Sequence, residues 1–345
     1  MDTGTWILVI SVIGIALVFD AINGFHDAAN SIATIVSTRV LSPRLAVLWA
    51  AFFNLAAMFL FHQAKVADTV GSIVKIRAGE PAFIYVVLCG LLGAIAWNII
   101  TWYLGLPTSS SHALIGGLLG AGLVHGGLDV INWAKVGKTV LFIPLAPLIG
   151  LVLGFAIMVG MYWLLRKLYP ATIDRIFRKC QFVSAALYSL GHGGNDAQKT
   201  MGIICALLVA AGLRSPDATL EVRHLDSLWI ILSCQFAMAI GTAFGGWRIV
   251  KTMGMKITKL KPVNGFCAES AGAITLFGST FLGIPVSTTH TITGAIIGVG
   301  ATTKLSGIKW GVAERIVWAW VITIPFTALI AAGCYYIAKI FHPEF

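Results

Sequence analysis

Gly105-Leu106-Pro107-Thr108-Ser109-Ser110-Ser111-His112 recurs in the second half of the chain as Gly283-Ile284-Pro285-Val286-Ser287-Thr288-Thr289-His290. Each copy follows an apolar run, Phe83 to Leu104 or Phe266 to Leu282, and precedes a Gly-rich one, Ala113 to Leu123 or Thr291 to Val299. Proline removes a backbone donor and disfavours helix in the residue before it, so the first run should stop near Leu106 or Ile284. The Ser/Thr cluster then supplies N-cap side chains for a new helix. The expected result is a helix broken inside an apolar region, with hydroxyls and free N–H groups gathered at the break. Such a helix start suits an anion, because its orphan N–H groups and its dipole both favour negative charge. One copy alone could equally be a loop between two spanning helices; the matched order of two copies favours a site.

Around these stretches the composition is that of a membrane protein. The 345 residues are 58% hydrophobic and 11% charged, far from the usage of soluble domains. Seven apolar runs approach or exceed the roughly 20 residues of a spanning helix: Trp6 to Phe19, Ala46 to Phe61, Phe83 to Leu104, Val140 to Leu165, Leu228 to Trp247, Phe266 to Leu282 and Ile316 to Ile340. The first lacks the basic start and small-residue cleavage pattern of a signal peptide. The fold class is therefore an all-α integral membrane protein with broken or re-entrant helices. Six cysteines lie in or beside apolar runs without metal-ligand spacing and read as small buried side chains. The formal charge of +10 does not indicate nucleic acid, since no basic run is interleaved with aromatics. The Lys and Arg residues fall in loops between spans, where they orient the chain and meet anionic lipid of the bilayer.

The order of parts repeats, giving a first unit at 1–170 and a second at 171–345. Asn23-Gly24-Phe25-His26-Asp27-Ala28-Ala29-Asn30-Ser31 interrupts the first apolar stretch of one half, and Gly191-His192-Gly193-Gly194-Asn195-Asp196-Ala197-Gln198-Lys199-Thr200 takes the matching place in the other. Five apolar segments per half give an odd number of crossings, so the second repeat should be inverted relative to the first, as in many secondary transporters. If the loops at Arg39/Arg44, Arg166 to Lys179, Arg248 to Lys261 and Lys304 to Arg315 are cytoplasmic, they hold 15 basic residues against 8 opposite. That bias predicts both termini outside.

Ionisable groups within lipid are costly and are functional candidates by default. Asp27 and Asp196 lead, one in each half. Beside a Gly-rich break, either carboxylate could coordinate a cation with backbone carbonyls, carry a proton, or cap a helix. Lys199 stands where Asn30 stands in the first half, three residues after its Asp; it could neutralise Asp196 or meet the anion. Asn30, Asn195 and His26 complete the coupling candidates. Glu269, flanked by small residues suited to close helix packing, is a further proton or cation group. Ser109, Ser110, Ser111, Ser287, Thr288 and Thr289 are the anion-binding candidates, and His112 and His290 read first as structural.

These Asp motifs and Ser/Thr-His breaks, with Cys267-Ala268-Glu269 and Gly246-Trp247-Arg248-Ile249-Val250-Lys251-Thr252-Met253-Gly254, resemble the inorganic phosphate transporter (PiT) family, its bacterial low-affinity members most closely. The resemblance covers nearly the whole chain. It implies a symporter that moves inorganic phosphate inward with a cation, in a bacterial inner membrane or similar cell membrane, as a homodimer. It places phosphate at the Ser/Thr breaks and cations at the Asp-Asn motifs; no fixed cofactor or metal is expected. Two departures matter: the first motif reads Phe25-His26-Asp27, and the second has Gln198-Lys199 where sodium-using relatives tend to have Ala-Asn. An ammonium in place of an amide oxygen weakens a sodium cage, and imidazole beside carboxylate suits a proton. The coupling ion is H+ or Na+, with H+ favoured, or phosphate travels as a neutral complex with a divalent metal. A carrier of another tetrahedral oxyanion such as sulfate is the nearest rival. An intramembrane serine hydrolase needs one asymmetric Ser–His pair, which two duplicated clusters do not suggest.

Overall fold

The computed structural model describes residues 3–75, 79–215, 218, 220–222 and 224–341. Among them are twelve α-helices: α1 (Thr3–Ser37), α2 (Pro43–Ala56), α3 (Lys65–Gly71), α4 (Ala82–Leu104), α5 (Ser110–Gly126), α6 (Trp133–Leu165), α7 (Pro170–Ala210), α8 (Leu225–Phe244), α9 (Trp247–Met255), α10 (Pro262–Phe281), α11 (Thr288–Thr303) and α12 (Trp310–Phe341). Five of these, α1, α4, α6, α8 and α12, are long and apolar enough to cross a membrane. Two of the seven expected spans differ. Ala46 to Phe61 lies on α2, only 14 residues long, and a short 3-10 turn. Phe266 to Leu282 lies on α10, where Asn264 and Glu269 face inward and dilute the apolar character.

Both Pro-Ser/Thr breaks form as the residues dictate. α4 ends in Gly105 with φ +65°, a left-handed position that a side chain would strain, and Leu106 N–H closes the turn onto Thr101 O at 2.9 Å. After Pro107, Ser109 caps α5 by accepting from His112 N–H at 3.2 Å. The second break repeats this: Gly283 has φ +65°, Ile284 N–H reaches Ser279 O at 2.8 Å, and Ser287 accepts from His290 N–H at 3.2 Å.

The Asp motifs depart from expectation. No break occurs there: α1 and α7 run as continuous helices of 35 and 41 residues through Asp27 and Asp196. The glycines serve close packing instead. A Cβ on Gly24 would sit 2.2 Å from Met238 O of α8, and one on Gly193 would sit 2.5 Å from Asn54 O of α2. The backbone carbonyls expected to serve as cation ligands are thus part of continuous helix.

α5 packs on α12 and α11 on α6, so each half's last helix covers the break helix of the other half. Glycines four apart permit this approach. A Cβ at Gly120 would lie 2.0 Å from Ala328 O, and one at Gly298 would lie 2.1 Å from Leu151 O.

Burial is inverted relative to a soluble protein. Large apolar side chains such as Leu148, Phe155, Trp318 and Leu329 face outward on α6 and α12, while carboxylates, amides and hydroxyls are enclosed. Two apolar clusters flank this polar layer. One takes Val9 to Phe19 of α1 and Ala197 to Ala210 of α7; the other takes Ala29 to Ile35 of α1 and Ala185 and Tyr188 of α7. The Asp motifs lie between. The four basic loops named above also gather: Arg178 donates to Arg39 O at 3.1 Å, and one cavity is lined by Ile173, Lys259, Lys261, Lys304 and Lys309. Of the eight basic residues counted opposite, Arg77 and Arg223 lie outside the described residues.

Candidate functional site

Both Ser/Thr clusters and both Asp motifs converge on one buried centre, with Asn23, His26, Asp27, Asn30, Ser109, Ser110, Ser111, Asn195, Asp196, Lys199, Ser287, Thr288 and Thr289 each being less than 5% exposed. Asp27 takes His26 Nδ1 on Oδ1 at 2.7 Å and the Ser110 hydroxyl on Oδ2 at 2.8 Å. Ser110 also lies against Asn23 Oδ1. Asp196 repeats the arrangement: Thr288 donates to its Oδ2 at 3.0 Å, and Lys199 Nζ to its Oδ1. Each carboxylate is therefore bonded by the first turn of the break helix in its own half.

Position 30/199 reaches the other way. Asn30 Nδ2 donates to Thr288 Oγ1 at 3.1 Å and Thr289 Oγ1 at 2.9 Å. Lys199 Nζ donates to Ser111 Oγ and, at 2.9 Å, to Val286 O. Lys199 forms an ion pair with Asp196. Ser109 and Ser287 are helix caps that keep their own O–H groups to donate.

Asn195 donates to Thr280 Oγ1 at 2.9 Å and Ile284 O at 3.4 Å, holding the second break in place. His26 does the equivalent through Nε2 to Thr101 Oγ1 at 3.1 Å. The amide oxygens of Asn30 and Asn195 have no hydrogen-bond partner among the described residues.

Glu269 is not brought into this group. Its carboxylate is enclosed by Thr34 at 2.6 Å, Gln181 at 2.9 Å and Ser184, joining α10 to α1 and α7. His112 and His290 meet behind the clusters with ring centroids 4.8 Å apart, and Trp320 stacks on His290 at 3.8 Å.

Asn23 carries no role in the sequence reading, and His192 enters it only as an ionisable group within lipid that needs a partner. Asn23 and His192 each precede an Asp by four residues, one helical turn, so they share its face. That spacing is the signal by which they could have been found. His192 Nε2 lies 3.2 Å from Asp196 Oδ2 at ion-pair distance, without the angle of a hydrogen bond. Asp27, His192 and Asp196 offer ligand atoms within 4.8 Å of one another.

A centre of carboxylates, amides and hydroxyls, sealed inside a lipid-facing helical frame and flanked by two broken helices, is the construction of a multi-pass membrane transporter. A profile described as "Phosphate transporter family" matches residues 23–331. A protein of Rhizobium meliloti described as "Probable low-affinity inorganic phosphate transporter" is 56% identical, the match covering 96% of this chain and 97% of that one. A Bacillus subtilis protein of the same description is 44% identical over 96% and 97% of the two chains. The solved structure "The sodium-dependent phosphate transporter" has the same fold, with a TM-score of 0.85 at 24% identity over 96% of this chain and 99% of that one. The chain belongs to the phosphate transporter family.

Proposed function

We propose that the protein imports inorganic phosphate by cation symport across the cell inner membrane, with protons favoured over sodium. It would act as a homodimer of chains, each built from two inverted repeats, 1–170 and 171–345, that rock about the shared centre. Ser109, Ser110, Ser111, Ser287, Thr288 and Thr289, with the N–H groups of the α5 and α11 starts, would replace the water around a phosphate oxyanion. Among the described residues no arginine is buried, so helix ends would supply much of the positive potential. The observation that carries this reading is the convergence of two helix starts on one another inside the protein.

The same geometry suggests how cation and anion are coupled. A hydroxyl has one proton to donate. Ser110 shares it between Asp27 Oδ2 and Asn23 Oδ1, and Thr288 donates it to Asp196. A proton or metal arriving on a carboxylate weakens that acceptor and frees the hydroxyl for phosphate. By linkage, bound phosphate then raises cation affinity equally.

A divalent metal as co-substrate is a second reading, supported by the closeness of Asp27, His192 and Asp196. In it the cargo is a neutral metal–phosphate complex, with those three side chains meeting the metal.

The deciding experiment is radioactive phosphate uptake into proteoliposomes under separately imposed proton and sodium gradients, with magnesium or a chelator. Accumulation driven by the proton gradient and indifferent to sodium is expected. A strict sodium requirement reverses the coupling assignment, and abolition by the chelator selects the metal–phosphate reading. Excess sulfate should compete weakly; equal competition would widen the substrate to tetrahedral oxyanions generally.

A further inference from the structure

Position 199 breaks the equivalence of the two halves. On α1 the motif is Asp27-x-x-Asn30 and on α7 it is Asp196-x-x-Lys199, so one face of each helix carries a carboxylate with an amide or an ammonium one turn on. The surroundings differ accordingly. Lys199 has three N–H donors, and all three are placed: on the Asp196 carboxylate, the Ser111 hydroxyl and the Val286 main-chain oxygen. Carboxylate, hydroxyl and backbone carbonyl are the oxygen ligands that a hard cation collects. They come from α7, from the start of α5 and from the second break, so the ammonium joins three separate elements. Among the described residues of the first half no buried lysine or arginine is present. Asn30 spends its two donors on Thr288 and Thr289 and leaves its Oδ1 without a hydrogen-bond partner.

Resting on the phosphate–cation symport reading above, we propose that the Lys199 ammonium is a resident cation. It fills in the second half the place that an exchangeable coupling ion would take, and leaves the Asp27–Asn30 side as the half that loads and unloads one. Each phosphate then crosses with one cation fewer than two open carboxylate sites would carry. With its donors spent on the protein, Lys199 holds Asp196 and the two breaks in register and leaves the anion to hydroxyls and helix starts.

Lys199→Asn tests this by rebuilding the first half's motif in the second. Without the ammonium, Asp196 is a buried charge lacking its strongest partner and must recruit an ion from solution. In proteoliposomes, the charge moved per phosphate, read from the reversal potential under imposed proton and sodium gradients, should rise by one relative to wild type. In detergent, sodium should raise the melting temperature of Lys199→Asn by more than it raises that of wild type. An unchanged charge count together with a sodium-dependent melting shift no larger than that of wild type overturns the proposal. If Lys199→Asn does not fold, equilibrium binding of radioactive sodium to the wild type decides: at most one ion per protomer supports it and two ions overturn it. Phosphate counterflow by the wild type is the control. Its absence would sink the phosphate reading, whereas the melting and sodium-binding results judge the resident cation without any phosphate moving.

Discussion

Thr289 at the start of α11 donates its hydroxyl to the main-chain oxygen of Thr108 in the other break, 3.0 Å away. This bond and the Asn30 bridge beside it tie the two helix starts into one unit. Thr289→Val keeps the shape but removes both this donor and the acceptor of Asn30 Nδ2, leaving buried polar groups unsatisfied at a cost of about 1–3 kcal/mol each. Thr289→Ser should melt close to wild type and Thr289→Val clearly below it; equal melting of the two would mean that these bonds contribute nothing to holding the breaks together.

Ser110 and Thr288 occupy equivalent places, each donating to the carboxylate of its own half. If these hydroxyls pass to phosphate, Ser110→Ala or Thr288→Ala should raise the half-saturating phosphate concentration about fivefold to a hundredfold, the range that loss of a buried hydrogen bond gives. Uptake kinetics in proteoliposomes measure this. Wild-type half-saturation in both variants would take these two side chains out of the phosphate site.

Asp27 is bonded by His26 and by Ser110, whose hydroxyl also reaches Asn23 Oδ1. Asp27→Asn keeps the shape but cannot accept a proton or hold a cation by charge. Exchange of external for internal phosphate should survive, while accumulation against a gradient should be lost. Full uphill accumulation by Asp27→Asn would place coupling elsewhere.

How far the sequence reveals this structure depends on how local each cause is. The Pro-Ser/Thr breaks are legible because glycine, proline and cap lie within eight residues and determine the geometry among themselves. The Gly-rich Asp motifs mislead for the opposite reason. Gly24 and Gly193 look like helix breakers, yet what they accommodate are the main-chain oxygens of Met238 and Asn54, which no local pattern reveals. The same holds for Glu269: its neighbours in sequence are small, and its partners Thr34, Gln181 and Ser184 arrive from two other helices. The exchange of α6 and α12 between halves is likewise a tertiary fact, though glycines four apart on α5 and α11 hint that something packs there closely.

That packing makes a sharp prediction. Gly120→Val and Gly298→Val place a branched side chain where a Cβ alone would lie 2.0 or 2.1 Å from a carbonyl oxygen of the covering helix. Neither helix can yield without opening the contact between halves, so both variants should be lost from the monodisperse folded fraction in size-exclusion chromatography. Gly160→Ala on α6, with nothing within 4 Å, is the control and should behave as wild type or slightly better, alanine being the stronger helix former. Normal recovery of both valine variants would mean that these helices are not packed as closely as described.

Glu269 separates a proton-carrying role from a structural one. Its carboxylate accepts from Thr34, Gln181 and Ser184, and Gln181 is held in turn by Thr38 at 2.8 Å, so the group is a joint between α1, α7 and α10. Glu269→Leu carries no acceptor oxygen and leaves the buried Thr34, Gln181 and Ser184 donors without it, at a cost of about 1–3 kcal/mol for each donor left unsatisfied. The expected outcome is a lower melting temperature with proton-driven accumulation intact in the protein that remains folded. Unaltered melting combined with loss of accumulation would assign Glu269 to the coupling pathway, alongside Asp27 and Asp196, despite its place outside their cluster.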